Sequence, residues 1–374
     1  MDLSLTNEQQ LLQDSIRKFI STQYSLSERN KFIKEDQGYD SSNWQQFADL
    51  GWLAMTFSEE YGGLGGSTVD SMIMLEEFGK RLVVEPFLST VVLFGAAIEL
   101  AGTPQQKQSL IPSIIEGKLI GTFAYAEPVE PNNLSAIQTR ATAEDSGFAL
   151  NGSKSLVFNA ISADKILLSA RTSGEDFDEQ GISLFIVDAQ ATGLTRTDYL
   201  TVDGLSASEL QLKNVRVESD DLLGSLGSAG GLIQSLVNKG ILGLAAEAIG
   251  TMEVLYKSTI EYTKQRQQFD HALADFQVLK HRMTDMFVDY NLVKSLCMKA
   301  TMLEALGAAE AQRNIHALKY LVGKTGRFIG QNAVQLHGGM GMTEELAIAH
   351  YFKRLLVIDA QFGNTDHHLN KFVG

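Results

Sequence analysis

The sequence has a single cysteine, Cys297, so it can form no internal disulfide. Its apolar neighbours Leu296 and Met298 point to an inert, buried thiol in a reducing, cytoplasmic setting. Proline is scarce: the five residues Pro86, Pro104, Pro112, Pro128 and Pro131 all lie early, and the chain after Pro131 is free of the strongest helix breaker. Basic residues are outnumbered, 31 Lys and Arg against 45 Asp and Glu, for a net charge of -14. That balance excludes a nucleic-acid surface, which needs clustered cations to replace counterions. No run reaches the roughly 18 uninterrupted apolar residues of a spanning helix, and Met1-Asp2-Leu3-Ser4-Leu5 has no basic stretch leading into an apolar one. Neither secretion nor membrane insertion is expected. His281, His316 and His350 fall into no metal-like grouping, and His367-His368 beside Asp366 reads as a surface turn, so no metal is assigned. Internal repeats and low-complexity tracts are absent.

What is present is 374 residues with 44% hydrophobic content, enough for several fused domains. From Thr6 to about Ile115 apolar residues recur at helical spacing, as in Leu11, Leu12, Ile16, Phe19 and Ile20, or Met72, Met74, Leu75 and Phe78. Helix starts are expected at Thr6, with Glu8 in the first turn, and at Thr103-Pro104. Between about Ile120 and Leu223 the pattern turns short and alternating, around Phe148–Leu150, Lys165–Ala170 and Ile182–Val187, with Asn151-Gly152 as a tight-turn signal. From Ser228 to about Lys353 long helical periodicity returns, as in an antiparallel bundle. The fold class is therefore α+β and multidomain: residues 1–119 an α-helical domain, 120–225 a β domain, and 226–374 a helical bundle.

Three segments could carry chemistry. Gln335-Leu336-His337-Gly338-Gly339-Met340-Gly341 closes a helical run with three glycines within four residues, more than a helix cap needs. Backbone can approach a ligand closely there, with amide groups left to bind oxygens. Arg266-Gln267-Gln268-Phe269, followed by Phe276-Gln277, supplies a guanidinium, amides and aromatic faces suited to a pyrophosphate and an adenine ring. Taken alone, Arg266 near Lys264 reads better as a solvated helix end. In the third, Gly240, Gly243, Glu247 and Gly250 share one helical face among apolar neighbours. Glycine costs about 1 kcal/mol against alanine in a helix, so three of them imply a close approach to the backbone. A partly desolvated Glu247 suits a general base; the alternative is a helix-packing face in which Glu247 pairs with an Arg or Lys elsewhere. Glu59-Glu60-Tyr61-Gly62-Gly63-Leu64-Gly65-Gly66 lacks the Lys-Ser/Thr of a phosphate loop and reads as a turn at a helix end.

In combination these blocks resemble the acyl-CoA dehydrogenase family over essentially the whole chain: Glu59-Glu60-Tyr61-Gly62-Gly63, Glu127-Pro128, Asn151-Gly152-Ser153-Lys154, Arg266-Gln267-Gln268-Phe269 with Phe276-Gln277, and Gln335 to Gly341. The resemblance implies an N-terminal α-helical domain, a β-barrel-like middle domain and a C-terminal four-helix bundle, assembled as a dimer of dimers. It also implies FAD as cofactor, an acyl-CoA substrate, an electron-transfer protein as acceptor, and a reaction in which a carboxylate removes the α proton while the β hydrogen leaves as hydride, giving a trans-2-enoyl-CoA. By the same resemblance Arg266, Gln268, Phe269, Gln277, Gln335, His337, Gly338, Gly339 and Gly341 serve the adenosine end of FAD, and Tyr125, Asn132 and Phe158 lie at the flavin ring.

The sequence departs from the family pattern where the reaction happens. At the position of the glutamate in the C-terminal Tyr-Glu-Gly-Thr motif stands Phe362, and at the alternative base position stands Gly240. Glu247, two turns along the same helix, is the candidate base. Ala126 replaces the threonine of Thr-Glu-Pro, Leu156 and Phe158 stand at the Trp and Thr of Trp-Ile-Thr, and Asn132-Asn133 stand at Ser-Asp. Altered flavin-side residues beside intact adenosine-side residues resemble the small subunit of bacterial two-component, pimeloyl-CoA type enzymes, which implies a related partner subunit in a heterotetramer. A homo-oligomer, a non-catalytic scaffold completing a partner's FAD site, and a flavin oxidase or monooxygenase on the same fold are the alternatives.

Overall fold

The computed structural model describes residues 5–374; Met1–Ser4, on which the expectation of no leader partly rests, lie outside the described residues. The helices are α1 (Asn7–Gln23), α2 (Leu26–Phe32), α3 (Ser41–Asp49), α4 (Thr68–Gly79), α5 (Ala96–Ala101), α6 (Pro104–Ile115), α7 (Gly230–Gln265), α8 (Gln277–Ala305), α9 (Ala311–His337), α10 (Ala347–Ala360) and α11 (Thr365–Val373). Between α6 and α7 run β1 (Gly121–Ala124), β2 (Arg140–Ala143), β3 (Gly147–Phe158), β4 (Lys165–Arg171), β5 (Ile182–Asp188), β6 (Leu194–Leu200), β7 (Ser206–Glu218) and β8 (Leu222–Leu223), and a two-residue pair, β9 (Gln267–Gln268) and β10 (His271–Ala272), follows α7. Helices, sheet, helices is the order the periodicity predicts. Both expected helix starts carry full capping boxes. The Thr6 hydroxyl accepts from Gln9 N–H while the Gln9 side chain accepts from Thr6 N–H, and Thr103 and Gln106 do the same ahead of Pro104.

The chain packs as two compact units. One unit joins the segment ending at Lys31 and residues 68–83 to residues 241–374; the other holds residues 32–67 and 84–240. The early helical segments contribute to both units. In the helical unit, α4 is buried from Ser71 through Gly79. It reaches that depth because two glycines let backbones touch. A Cβ on Gly79 would sit 2.0 Å from the Glu247 carbonyl oxygen, and one on Gly250 would sit 1.9 Å from the Glu76 carbonyl oxygen. The Thr251 hydroxyl adds a 3.2 Å hydrogen bond to the Gly79 carbonyl, and Arg17 holds Glu77 at 3.0 Å. Of the predicted α1 stripe, Ile16 and Ile20 are buried, whereas Leu11 points to solvent.

The other unit is built on an eight-stranded mixed sheet in the order β6-β7-β3-β2-β4-β5-β8, with β1 alongside β4 in parallel. Strands β4 and β5 are buried almost residue by residue, as strands covered on both faces must be, and β6 alternates between half-buried and exposed as an edge does. Leu150, Val157, Ile166, Leu168, Phe185 and Leu210 form the heart of this core. The tight turn expected at Asn151-Gly152 is absent: both residues lie inside β3, where the register against β7 slips between Leu150 and Gly152. Gly152 is required there because a Cβ would meet Thr139 at about 2.5 Å. Helix α7 is strongly apolar without being an uninterrupted apolar run, since Lys239 and Glu247 lie within it. An 18-residue window within it has mean hydropathy 1.2, apolar enough to cross a membrane, but 72% of that window is buried inside the protein.

Candidate active site

The two segments expected to grip a dinucleotide are neighbours in the helical unit. Arg266 N–H bonds the Tyr262 carbonyl at 2.8 Å, so the hairpin springs directly from the end of α7. Strands β9 and β10 pair antiparallel across Phe269 and Asp270, whose φ values of 55° and 64° describe a type I′ turn made without glycine. Holding a phenylalanine in the left-handed region strains it; Phe269 is 84% exposed, with the Phe276 ring edge-on at 6.4 Å. Arg266, Gln268 and Gln277 are likewise exposed.

Across from the hairpin, the Tyr262 ring stacks on His337 with centroids 4.3 Å apart. His337 is buried and its Nδ1–H donates to the Ala333 carbonyl at 2.8 Å. Burial pushes the imidazole below its ordinary range. Its place is therefore beneath the glycine turn, as a strut. Gly338 ends α9 with φ 64°, and neither it nor Gly339 has any atom within 4 Å of where a Cβ would be. Gly341, by contrast, is buried, with Val334 2.8 Å from its virtual Cβ, and serves packing. Gln335 is exposed on the last turn of α9.

In the sheet-containing unit a buried ion pair organises the residues expected at the flavin ring. Lys154 Nζ lies 2.6 Å from Glu127 and 2.9 Å from the Ser169 hydroxyl, and also reaches the Tyr125 carbonyl at 3.5 Å. Glu127 further accepts from the backbone N–H groups of Gln138 and Thr139 at 2.7 and 3.1 Å. Burial raises the Glu127 carboxyl, but Lys154 and the N–H donors outweigh it and hold the group below the usual carboxylate range. Burial lowers Lys154 to about 8 against the opposing pull of Glu127. The pair binds β1's end to β3, where Ser155 N–H bonds the Ala126 carbonyl at 3.0 Å. That places Ala126 beside exposed Leu156, which has φ 53° at a second register slip of β3. The half-buried Phe158 gives its carbonyl to the Thr122 hydroxyl at 2.6 Å, and Asn132 is exposed in the loop after Glu127. Both members of the pair stand in segments singled out from the sequence, but no local signal joins them.

Glu247 is not the poised base expected of it. Its two carboxylate oxygens take Nε and one terminal nitrogen of Arg354, on α10, at 2.5 and 2.7 Å, and both side chains are buried. The packing-face alternative is what the fold contains: the carboxylate is neutralised bidentately, and Gly250 admits α4 rather than a ligand. Phe362 lies in the turn after α10, half-buried, with φ 56°, followed by Gly363 at φ 98°. The expected surface turn at His367-His368 is also corrected, since His368 is 1% exposed. Among the described residues no group of three His, Cys, Asp or Glu side chains could hold a metal. Cys297 is buried as expected, and burial lifts its thiol to about 12.

Comparison with known proteins covers nearly all of the chain. Family models match residues 6–118 (acyl-CoA dehydrogenase, N-terminal domain), 122–215 (middle domain) and 230–372 (C-terminal domain). The short-chain specific acyl-CoA dehydrogenase of Clostridium acetobutylicum is 28% identical over 378 residues, covering 98% of this chain and 97% of that protein. The glutaryl-CoA dehydrogenase of Desulfococcus multivorans is 26% identical over 369 residues, covering 94% and 92%. Butyryl-CoA dehydrogenase from Megasphaera elsdenii, a solved structure, superposes with a TM-score of 0.93 at 27% identity, covering 100% of this chain and 99% of that one. With the helical, mixed-sheet and helical parts each accounted for by one family in the same order, this chain belongs to the acyl-CoA dehydrogenases.

Proposed function

We propose that this chain is an FAD-dependent acyl-CoA dehydrogenase subunit that works with a second, related dehydrogenase chain. The nucleotide-gripping end fits FAD: Gly338 and Gly339 leave open space where side chains would be, Arg266 and Phe269 are exposed, and the Tyr262–His337 stack links the two segments. Arg266, Gln268 and the Gly338-Gly339 amides would hold the pyrophosphate, and Phe269 would cover an adenine face. When bound, FAD supplies the electron sink that takes the substrate's β hydrogen as hydride. An electron-transfer protein is the acceptor. The protein's other task is to remove the α proton of a thioester, for which a carboxylate must stand in a dry pocket with a free oxygen.

The observation that carries the two-chain reading is the fate of the acids. Phe362 and Gly240 occupy the two base positions, and Glu247 is committed to Arg354. A partner chain then supplies the base, and this chain completes its FAD site. The ChsE4-ChsE5 complex from Mycobacterium tuberculosis shares the fold, with a TM-score of 0.90 at 23% identity, and joins two differently named proteins. The test is co-expression with a related dehydrogenase chain, followed by native mass measurement and flavin quantitation. A yellow hetero-oligomer with fewer flavins than chains, reducing an acceptor dye with acyl-CoA, is expected. One FAD per chain and full turnover from this chain alone would remove the partner from the reading. An assembly that never retains FAD would remove the dehydrogenase.

A further inference from the structure

The turn that carries Phe362 is held by an unusual concentration of buried basic side chains, all within the helical unit. Lys319 on α9, fully buried, donates to the carbonyls of Ile358, Asp359 and Gly363 at 2.8 to 2.9 Å. The Asp359 carboxylate accepts from Thr365 N–H and its hydroxyl at 3.1 and 2.7 Å. The carbonyl of Phe362 is taken by His368 Nε2 at 2.9 Å. His368 Nδ1 in turn lies 2.9 Å from His316 Nδ1, and His316 Nε2 lies 2.9 Å from Gln312 Nε2.

These three ring contacts admit one pattern of protons. A carbonyl only accepts, so His368 carries its proton on Nε2. If the ring is neutral, its Nδ1 is an acceptor and His316 must donate from Nδ1. His316 Nε2 is then an acceptor, filled by the Gln312 amide N–H. Every atom is satisfied once, in one direction, with no charge. A proton on His368 Nδ1 would set N–H against N–H. The surroundings oppose charge as well: Lys319 from α9 and His367 and Lys371 from α11 face the rings, while the carboxylate nearby, Asp359 on α10, is already engaged by Thr365 and by Arg327 at 3.2 Å.

We infer that His316 and His368 form a one-way chain of hydrogen bonds, both rings neutral, that latches the Phe362 turn and yields to acid. Burial and the neighbouring cations lower both rings, His368 to about 3. The folded latch therefore excludes protons that the opened turn accepts near the ordinary histidine value of about 6.5. Below that value each histidine adds one proton to the opening, so the latch weakens by up to about a hundredfold per pH unit.

The test is hydrogen exchange of the peptide spanning residues 358–368 in the full-length protein, normalised to intrinsic rates, from pH 8 to 4.5. Nitrogen-15 shifts of the two rings provide a second readout. Wild type should show His368 protonated on Nε2 and His316 on Nδ1 at pH 7.5, with protection constant above about pH 7 and falling steeply below about 6. His368→Gln can accept from His316 and donate to Phe362 through one amide, so it should keep the protection and fall by at most about tenfold per unit. His368→Leu should lose about tenfold or more of the protection at pH 7.5, with α8 exchanging as in wild type. If that variant does not fold, the wild-type titration and His368→Gln decide. A His368 protonated on Nδ1, pH-independent protection in wild type, or wild-type protection in a folded His368→Leu would each overturn the latch. None of these readouts requires FAD, so failure here is separable from failure of the dehydrogenase reading.

Discussion

Two glycine-bearing places in the helical unit are built in opposite ways. Around Glu247, Arg354, Gly79 and Gly250, every oxygen of the carboxylate is paired and backbones meet without a gap. At the other end, Gly338 and Gly339 have nothing above them and a strained Phe269 stands in water. Glycine serves both, as the means of close approach. In the first place the approaching body is the protein's own α4; in the second, nothing of the protein comes within 4 Å of where a Cβ would stand. The lesson is that a glycine-framed acid reads as a site only until its partners are counted.

That contrast is most directly broken at Arg354. Arg354→Met leaves the Glu247 carboxylate buried with no counter-charge, a loss of about 3–5 kcal/mol for a buried pair. Urea unfolding should show it as a lower midpoint at unchanged slope. Glu247→Gln in the same background should recover much of the loss, because the stranded charge is gone. A folded Arg354→Met as stable as wild type would mean that the pair does not hold the fold and that Glu247 is free for chemistry.

Next in size is Gly250→Ala. The new methyl would meet the Glu76 carbonyl oxygen at 1.9 Å, so α4 must shift, at about 1–3 kcal/mol for overpacking. An unchanged midpoint would show that the α4–α7 crossing is looser than its geometry.

A smaller, pH-dependent effect belongs to Glu253, which holds Lys80 at 3.2 Å and also pairs with Lys257. Burial raises its carboxyl, but the two lysines prevail and bring it down to about 2. A folded value below the unfolded one means stability that is present above about pH 4.5 and lost as pH falls towards 2. Solvent reaches this group, so about 1 kcal/mol is expected rather than the full shift. Glu253→Gln should destabilise by that amount at pH 7 and by nothing at pH 2, flattening the acid limb of the stability curve. Parallel limbs for the two proteins would refute the assignment.

What was legible in the sequence was local. Thr6 with Gln9 and Thr103 with Gln106 announce their helices within one turn, and the Arg266 hairpin and the Gly338 turn are visible as short blocks. What was not legible is pairing across the chain. Glu247 meets Arg354 across 107 residues, and His316 meets His368 across 52. Asn151-Gly152 has the local chemistry of a turn, yet its pairing with β7 makes it a bulge. The early helices obey helical periodicity, but the close seating of α4 on α7 rests on Gly79 and Gly250, which meet the other helix's backbone only after folding.

Gly339→Ala carries the smallest change in stability and sharpens the comparison furthest. Unlike Gly338, whose φ of 64° would strain any side chain, Gly339 is not in the left-handed region, and a methyl there meets no atom of the protein within 4 Å. Stability should stay within about 0.5 kcal/mol of wild type, as for a surface substitution that touches nothing. The same methyl stands where a ligand would approach the backbone, so FAD retention by the assembled protein should fall by about tenfold, the equivalent of about 1.4 kcal/mol. Fluorescence of released flavin measures it. Gly250→Ala predicts the reverse pattern, a loss of stability with flavin affinity unchanged in whatever fraction remains folded. Should both variants move the same quantity, the two glycine sets do one job, and the distinction between a packed helix crossing and an open cofactor turn disappears.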